Sequence, residues 1–222
     1  MDLKTNNNRM GTEPIVPLLL KLSIPSIFSM FIQALYNVID SIFVARLSKD
    51  ALAAVSLAFP IEMILIAIAV GTGTGTNSLI SRLLGSGNDR RAGNVAEHVF
   101  CIGLFYGIIV TAIGFFLPEY LISFFTNEPL LIDYGTRYTR IILLGSIAIF
   151  IPVLSNDILR GEGNTFIPMV SMLIGAILNI ILDPLLIFGY GPFPKFGVEG
   201  AAIATVFSRI VSGIFILFIL FK

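Results

Sequence analysis

The sequence predicts an all-α integral membrane protein with six transmembrane helices. Three observations predict it. The 222 residues are 56% hydrophobic and only 13% charged, with a mean hydropathy of +0.93; a soluble domain carries about a quarter charged residues. The apolar residues fall into blocks long enough to cross a bilayer, which takes about 20 residues as a helix. The blocks are also far longer than the ~10 alternating residues of a barrel strand, and they do not alternate.

The blocks lie at about 15–45, 51–81, 95–117, 134–158, 166–189 and 197–221. The polar segment 1–14 ("MDLKTNNNRMGTEP") precedes them. The first block is too long for a signal-peptide core and reads as an uncleaved span. It contains Pro25, and it stacks Gln33, Asn37 and Asp40 on one face at i, i+4 and i+7. The second holds "GTGTGTNS" (71–78). With no Lys-Ser/Thr pair after the glycines it is not a phosphate-binding loop. Small residues in a span let helices approach closely or bend. No nucleotide site is visible, so an ATP-driven pump is excluded.

The third block begins near His98, read as a loop-end residue, and contains the lone Cys101, read as a buried packing thiol. One cysteine makes neither an intrachain disulfide nor a Cys-based metal site. The fourth ends in Asn156, Asp157 and Arg160, where a local i, i+3 ion pair explains the acid. Asn156 is a candidate cavity residue, as is Asn37 of the first block. The fifth carries Met172, Asn179 and Asp183 at i, i+7 and i+11, followed at once by Pro184. Proline removes a backbone hydrogen bond, so Pro184 frees the Ile180 carbonyl one turn before Asp183. Pro25 and Pro184 are thus candidate helix hinges. The sixth contributes Thr205. Glu62 and Arg209 are expected to snorkel toward an interface and receive no role.

The separators "RLSKD", "GSGNDRRAGN", "PEYLISFFTNEP", "RGEGNT" and "GYGPFPKFG" carry turn residues. Lys4, Arg9, Lys21, Arg82, Arg90, Arg91, Arg160 and Lys222 fall on one side, against Arg46, Lys49, Lys195, Arg137 and Arg140 on the other. The positive-inside rule then expects both termini in the cytoplasm. The acidic, amphipathic third loop is expected outside. Tryptophan is absent, which leaves Tyr36, Tyr120, Tyr134 and Tyr190 as interface anchors. Zero net charge and no basic face argue against a nucleic-acid partner.

A charged Asp at a helix centre costs about 2.5–3.5 kcal/mol on insertion scales, and such acids mark ion or substrate pathways. Asp40 and Asp183 each follow an amide by about one turn. Two such acids face a watery cavity, bind a cation, or have at least one of them protonated. A carboxyl that takes up a proton on one side and releases it on the other can couple a gradient to a conformational change. Two Asp, an Asn and a Thr hydroxyl also offer the hard oxygens that sodium prefers. The residues leave H+ and Na+ both open. The plainer reading keeps Asp40 near water and satisfies Asp183 with Asn37 or Thr205.

"YNVIDSIFVARLSKDALAAVSLAFP", "GTGTGTNSLISRLLGSGNDRRA", "LRGEGNTFIPM", "LNIILDPLLIFG" and "GVEGAAIATVFS", in this order and spacing, resemble the multidrug and toxic compound extrusion (MATE) family of secondary transporters. The resemblance implies that the six spans form one lobe, the N-terminal half, of a twelve-helix fold. It implies an antiporter that exports amphipathic, often cationic compounds in exchange for Na+ or H+ by alternating access, with no other cofactor. It also implies a cation site on Asp40, Asn179, Asp183 and Thr205, with Gln33 and Met172 lining the cavity. The expected partners are a small-molecule substrate, the lipid bilayer of a prokaryotic plasma membrane, and a missing C-terminal lobe. The chain ends with the sixth span, which reads as a piece of a longer protein; a half transporter that pairs with a second chain is the other reading.

Two rival functions share features of this sequence. Lipid-linked oligosaccharide flippases of the same superfamily handle anionic phosphates, which Arg209 alone would suit. An intramembrane aspartyl protease has two membrane aspartates, but neither Asp40 nor Asp183 stands in the Gly-x-Gly-Asp context of that class.

Overall fold

The computed structural model describes residues 14–222, and the polar segment 1–13 lies outside the described residues. Among the described residues the regular structure is entirely helical. It comprises α1 (Ile15–Leu47), α2 (Lys49–Gly85), α3 (Asp89–Phe116), α4 (Pro118–Ser123), α5 (Pro129–Leu144), α6 (Ile147–Gly161), α7 (Phe166–Phe188) and α8 (Val198–Leu220). Five of these helices are long and apolar enough to cross a membrane. Taken together as one bent span, α5 and α6 are long and apolar enough for a sixth; they meet at a 50° bend, where Gly145 and Ser146 interrupt the helix.

The fourth span therefore differs from the single helix expected over 134–158. Its break is held from outside, because Ser146 donates its hydroxyl to the Gly107 carbonyl of α3 at 3.0 Å. The expected hinges at Pro25 and Pro184 do not interrupt their helices, which run through both prolines. The third loop contains the one-and-a-half-turn helix α4, which buries Ile122 and leaves Tyr120 exposed.

α8 is the central element, packed against α5, α6 and α7, while α1 lies mainly on α7. A transmembrane bundle gains little from apolar burial alone, so close backbone approach and interhelical hydrogen bonds hold it. Both occur here. Ser171 of α7 and Ser212 of α8 pair through their hydroxyls at 2.8 Å, and each hydroxyl also reaches the other's carbonyl. Gly200 of α8 sits so close to the Leu186 backbone that a Cβ would approach its carbonyl to 2.6 Å. The outward faces are apolar and bare, as at Phe28, Phe105, Ile108 and Phe218, which is how a lipid-facing surface looks in the absence of lipid.

Two local readings are corrected. Cys101 is exposed on the outer face of α3, not buried. His98 lies inside α3 rather than at a loop end, because the helix starts at Asp89. Its Nδ1 lies 2.7 Å from the Asn94 carbonyl oxygen, one turn back.

Candidate functional site

The site is assembled by three spans that approach the same end of the bundle. α1 ends at Leu47 and α7 at Phe188, while α8 begins at Val198. Asp40, Asp183 and Thr205 consequently lie at similar depth, about 8–11 Å along their helices from that end at 1.5 Å per residue. The carboxyls of Asp40 and Asp183 face one another across the α1–α7 contact. Asp183 is fully buried and Asn179 nearly so.

A directional chain of hydrogen bonds supports the pair. Asn179, with its amide oriented to suit its neighbours, donates Nδ2 to Asp183 Oδ2 at 2.8 Å. Its oxygen accepts from the Thr205 hydroxyl at 3.3 Å and the Thr205 N–H at 3.2 Å. Thr205 Oγ1 in turn lies 3.3 Å from the Tyr36 hydroxyl, which is left as donor. The chain runs from Tyr36 through Thr205 and Asn179 to Asp183. Asp40 Oδ1 is buried and has no hydrogen-bond partner among the described residues. The donor set is all oxygen plus one amide nitrogen that is already committed. Among the described residues no three His, Cys, Asp or Glu side chains come together as a metal cluster. This chemistry fits a proton or a hard monovalent cation such as sodium.

The structure thus brings together four of the residues singled out in the sequence: Asp40, Asn179, Asp183 and Thr205. It adds Tyr36, which was expected at the membrane interface. The signal was present, since Tyr36 is one turn before Asp40 on the same face. Asn37 is not a partner of Asp183. It is exposed, accepts from Gln33 at 3.3 Å, and lines a groove of about 400 Å³ with Ser41 and Leu52.

Met172 and Asn156 lie elsewhere. Met172 is about 16 Å along α7 from Asp183, and its sulfur takes the Arg160 guanidinium at 3.8 Å. Arg160 pairs with buried Asp157 at 3.1 Å, as the i, i+3 spacing expected. Asp157 occupies a notch left by Gly73 of the "GTGTGT" stretch, where any Cβ would overlap its carboxyl. Asn156 is buried beside it, and its Oδ1 has no hydrogen-bond partner among the described residues. Next to this cluster, just past α6, burial pushes the Glu162 carboxyl up to about 7.

Between the two clusters lies a third polar group that sequence reasoning left without a role. Glu62 of α2 faces the buried Tyr138 hydroxyl of α5. Arg209 of α8 is within electrostatic reach of Glu62, Asp40 and Tyr36. Arg209 is the central residue of α8 (Val198–Leu220), roughly 16 Å from either end. Snorkelling to an interface, as expected for it, is out of reach for a side chain of that length.

Comparison with known proteins agrees with this architecture. The family model described as MatE matches residues 25–185. The chain is 36% identical over 203 residues to an FAD transporter from Shewanella oneidensis, spanning 90% of this chain and 44% of that one. It is 31% identical over 205 residues to a probable multidrug resistance protein NorM from Thermotoga maritima, spanning 92% and 44%. Among solved structures, it is similar to a MOP superfamily transporter from Pyrococcus furiosus, described as having a binding pocket of reverse polarity that suggests a different function. That similarity has a TM-score of 0.86 at 38% identity and spans 92% of this chain and 44% of the other. An outward-facing multidrug resistance MATE family transporter matches with the same TM-score and identity. The chain spans less than half the length of the curated relatives it matches.

Proposed function

The chain belongs to the MatE family of multidrug efflux transporters, and on that premise we propose that it forms one lobe of a cation-coupled exporter and holds the coupling site. The observation that carries this reading is the facing pair Asp40–Asp183. A buried carboxyl and a half-buried one facing each other repel unless a cation or a proton lies between them. Among the described residues no basic side chain is in contact with either, and in this reading the positive charge comes from solution. Tyr36, Thr205 and Asn179 fix the geometry of Asp183, and the unpartnered oxygen of Asp40 is the place for the incoming charge. Taking up H+ or Na+ removes the repulsion and lets α1 settle on α7; losing it drives them apart. Solved MATE structures include a bent and a straight conformation, and α1, with Pro25 in its interior, is the helix whose shape that repulsion would change.

In this reading the cargo is an amphipathic compound taken up between this lobe and a second one, and the termini face the cytoplasm. Relatives named for multidrug export, such as the MepA proteins of staphylococci, support drug efflux as the activity. The test is gradient-driven efflux of ethidium from proteoliposomes holding the full-length protein, under an imposed Na+ or H+ gradient. Wild type should export under one gradient, while Asp40→Asn and Asp183→Asn should each stop export and still insert in the membrane. Normal efflux by both variants would overturn the coupling role.

A further inference from the structure

Arg209 has no carboxylate within 4 Å and no side-chain hydrogen bond among the described residues. It is half-buried and sits at the midpoint of a membrane span. A guanidinium there is costly, and such side chains are ordinarily paired or set in a watery cavity. Glu62 is near enough to act on it electrostatically but is not in contact, and lies instead beside Tyr138. Arg209 follows Thr205 by one turn on the same face of α8, and Thr205 touches Tyr36 of α1. Arg209 therefore points to the space flanked by α1 and α2, one turn deeper than the carboxylate pair.

We infer that Arg209 is a recognition residue for an oxyanion, a carboxylate or phosphate carried by an aromatic or amphipathic cargo. The inference rests on the transport reading but concerns a different residue and a different charge. Arg is the side chain suited to this work, because its fork of donors meets two oxygens at once. Its donors are free in this lobe, so an arriving oxyanion does not have to displace an internal partner. Glu62 opposes the anion at longer range and limits how tightly it is held. With Asp40 and Asp183 one turn away, the same space presents one positive and several negative groups. That suits cargo bearing an anionic group beside a cationic or neutral ring, and disfavours a simple inorganic anion.

The experiment compares riboflavin with flavin mononucleotide, which differ only by the phosphate. Quenching of flavin fluorescence by the detergent-solubilised full-length protein reads both affinities. Wild type should bind the mononucleotide at least tenfold more tightly than riboflavin. Arg209→Gln should erase that preference without weakening riboflavin binding, and Arg209→Lys should keep part of it. Glu62→Gln should tighten mononucleotide binding severalfold, a gain that misfolding does not produce. Carboxyfluorescein in place of the flavins distinguishes carboxylate from phosphate as the favoured group. Equal affinities for the two flavins in wild type, or an equal loss of both in Arg209→Gln, would overturn the inference. Because the readout is binding, it decides the matter whatever the ethidium efflux assay finds.

Discussion

The two ends of this bundle each bury aspartate, and they solve the problem in opposite ways. At one end Asp157 keeps a resident cation, Arg160, at 3.1 Å, and a glycine notch to lie in. At the other, Asp183 faces Asp40 and is braced by Asn179, Thr205 and Tyr36, with no basic residue in contact among the described residues. An acid with a built-in counterion has a constant charge state and serves packing. An acid that faces another acid has a charge balance that depends on what arrives from solution. The contrast separates the paired carboxylate from the proposed coupling carboxylate more sharply than burial does, because Asp157 and Asp183 are both buried.

The contrast can be broken in four ways. The largest effect is expected at the paired end: Asp183→Asn or Asp40→Asn should reduce gradient-driven efflux to background, with little change in thermal stability, since the neutral amide relieves repulsion. Unfolding of the purified variants well below the wild-type temperature would assign these residues to packing instead. At the opposite end Arg160→Ala should cost stability. Breaking a fully buried pair costs ~3–5 kcal/mol; with Arg160 still 30% exposed, about 1–3 kcal/mol is the expected loss in a thermal melt.

Next in size is the notch. Gly73→Ala places a methyl on the Asp157 carboxyl, an overpacking worth ~1–3 kcal/mol. Gly71→Ala, whose Cβ meets nothing within 4 Å, should be neutral or slightly stabilising. Equal melting temperatures for the two variants would remove the notch from the account. The smallest effect concerns Glu162. Its carboxyl moves from an ordinary 4.5 to about 7 through burial, so the folded protein favours the neutral acid. Its contribution to stability is complete below pH ~4.5 and declines as the pH rises through 7. Solubilised protein should lose about 2–4 °C in melting temperature between pH 5 and 8, the shift of a ~1 kcal/mol change. Glu162→Gln should flatten that dependence.

Much of this was legible in the residues themselves. Hydropathy located the spans because a bilayer core demands long apolar helices whatever they pack against. An amide about one turn before each aspartate, Asn37 before Asp40 and Asn179 before Asp183, singled out the candidate site, because intramembrane charge is costly. The 50° break between α5 and α6 was not legible, since its cause, the Ser146 bond to the Gly107 carbonyl, joins residues distant in the chain. Tyr36 and Asn37 are adjacent and both polar. Only the packing of α1 on α7 and α8 decides that the tyrosine enters the network while the asparagine faces outward. Arg209 is the clearest case. The sequence by itself determined that a cation sits in the middle of a span. Tertiary structure decided that it stands beside Glu62 without a contact partner, because pairing distances are set between helices and not along them.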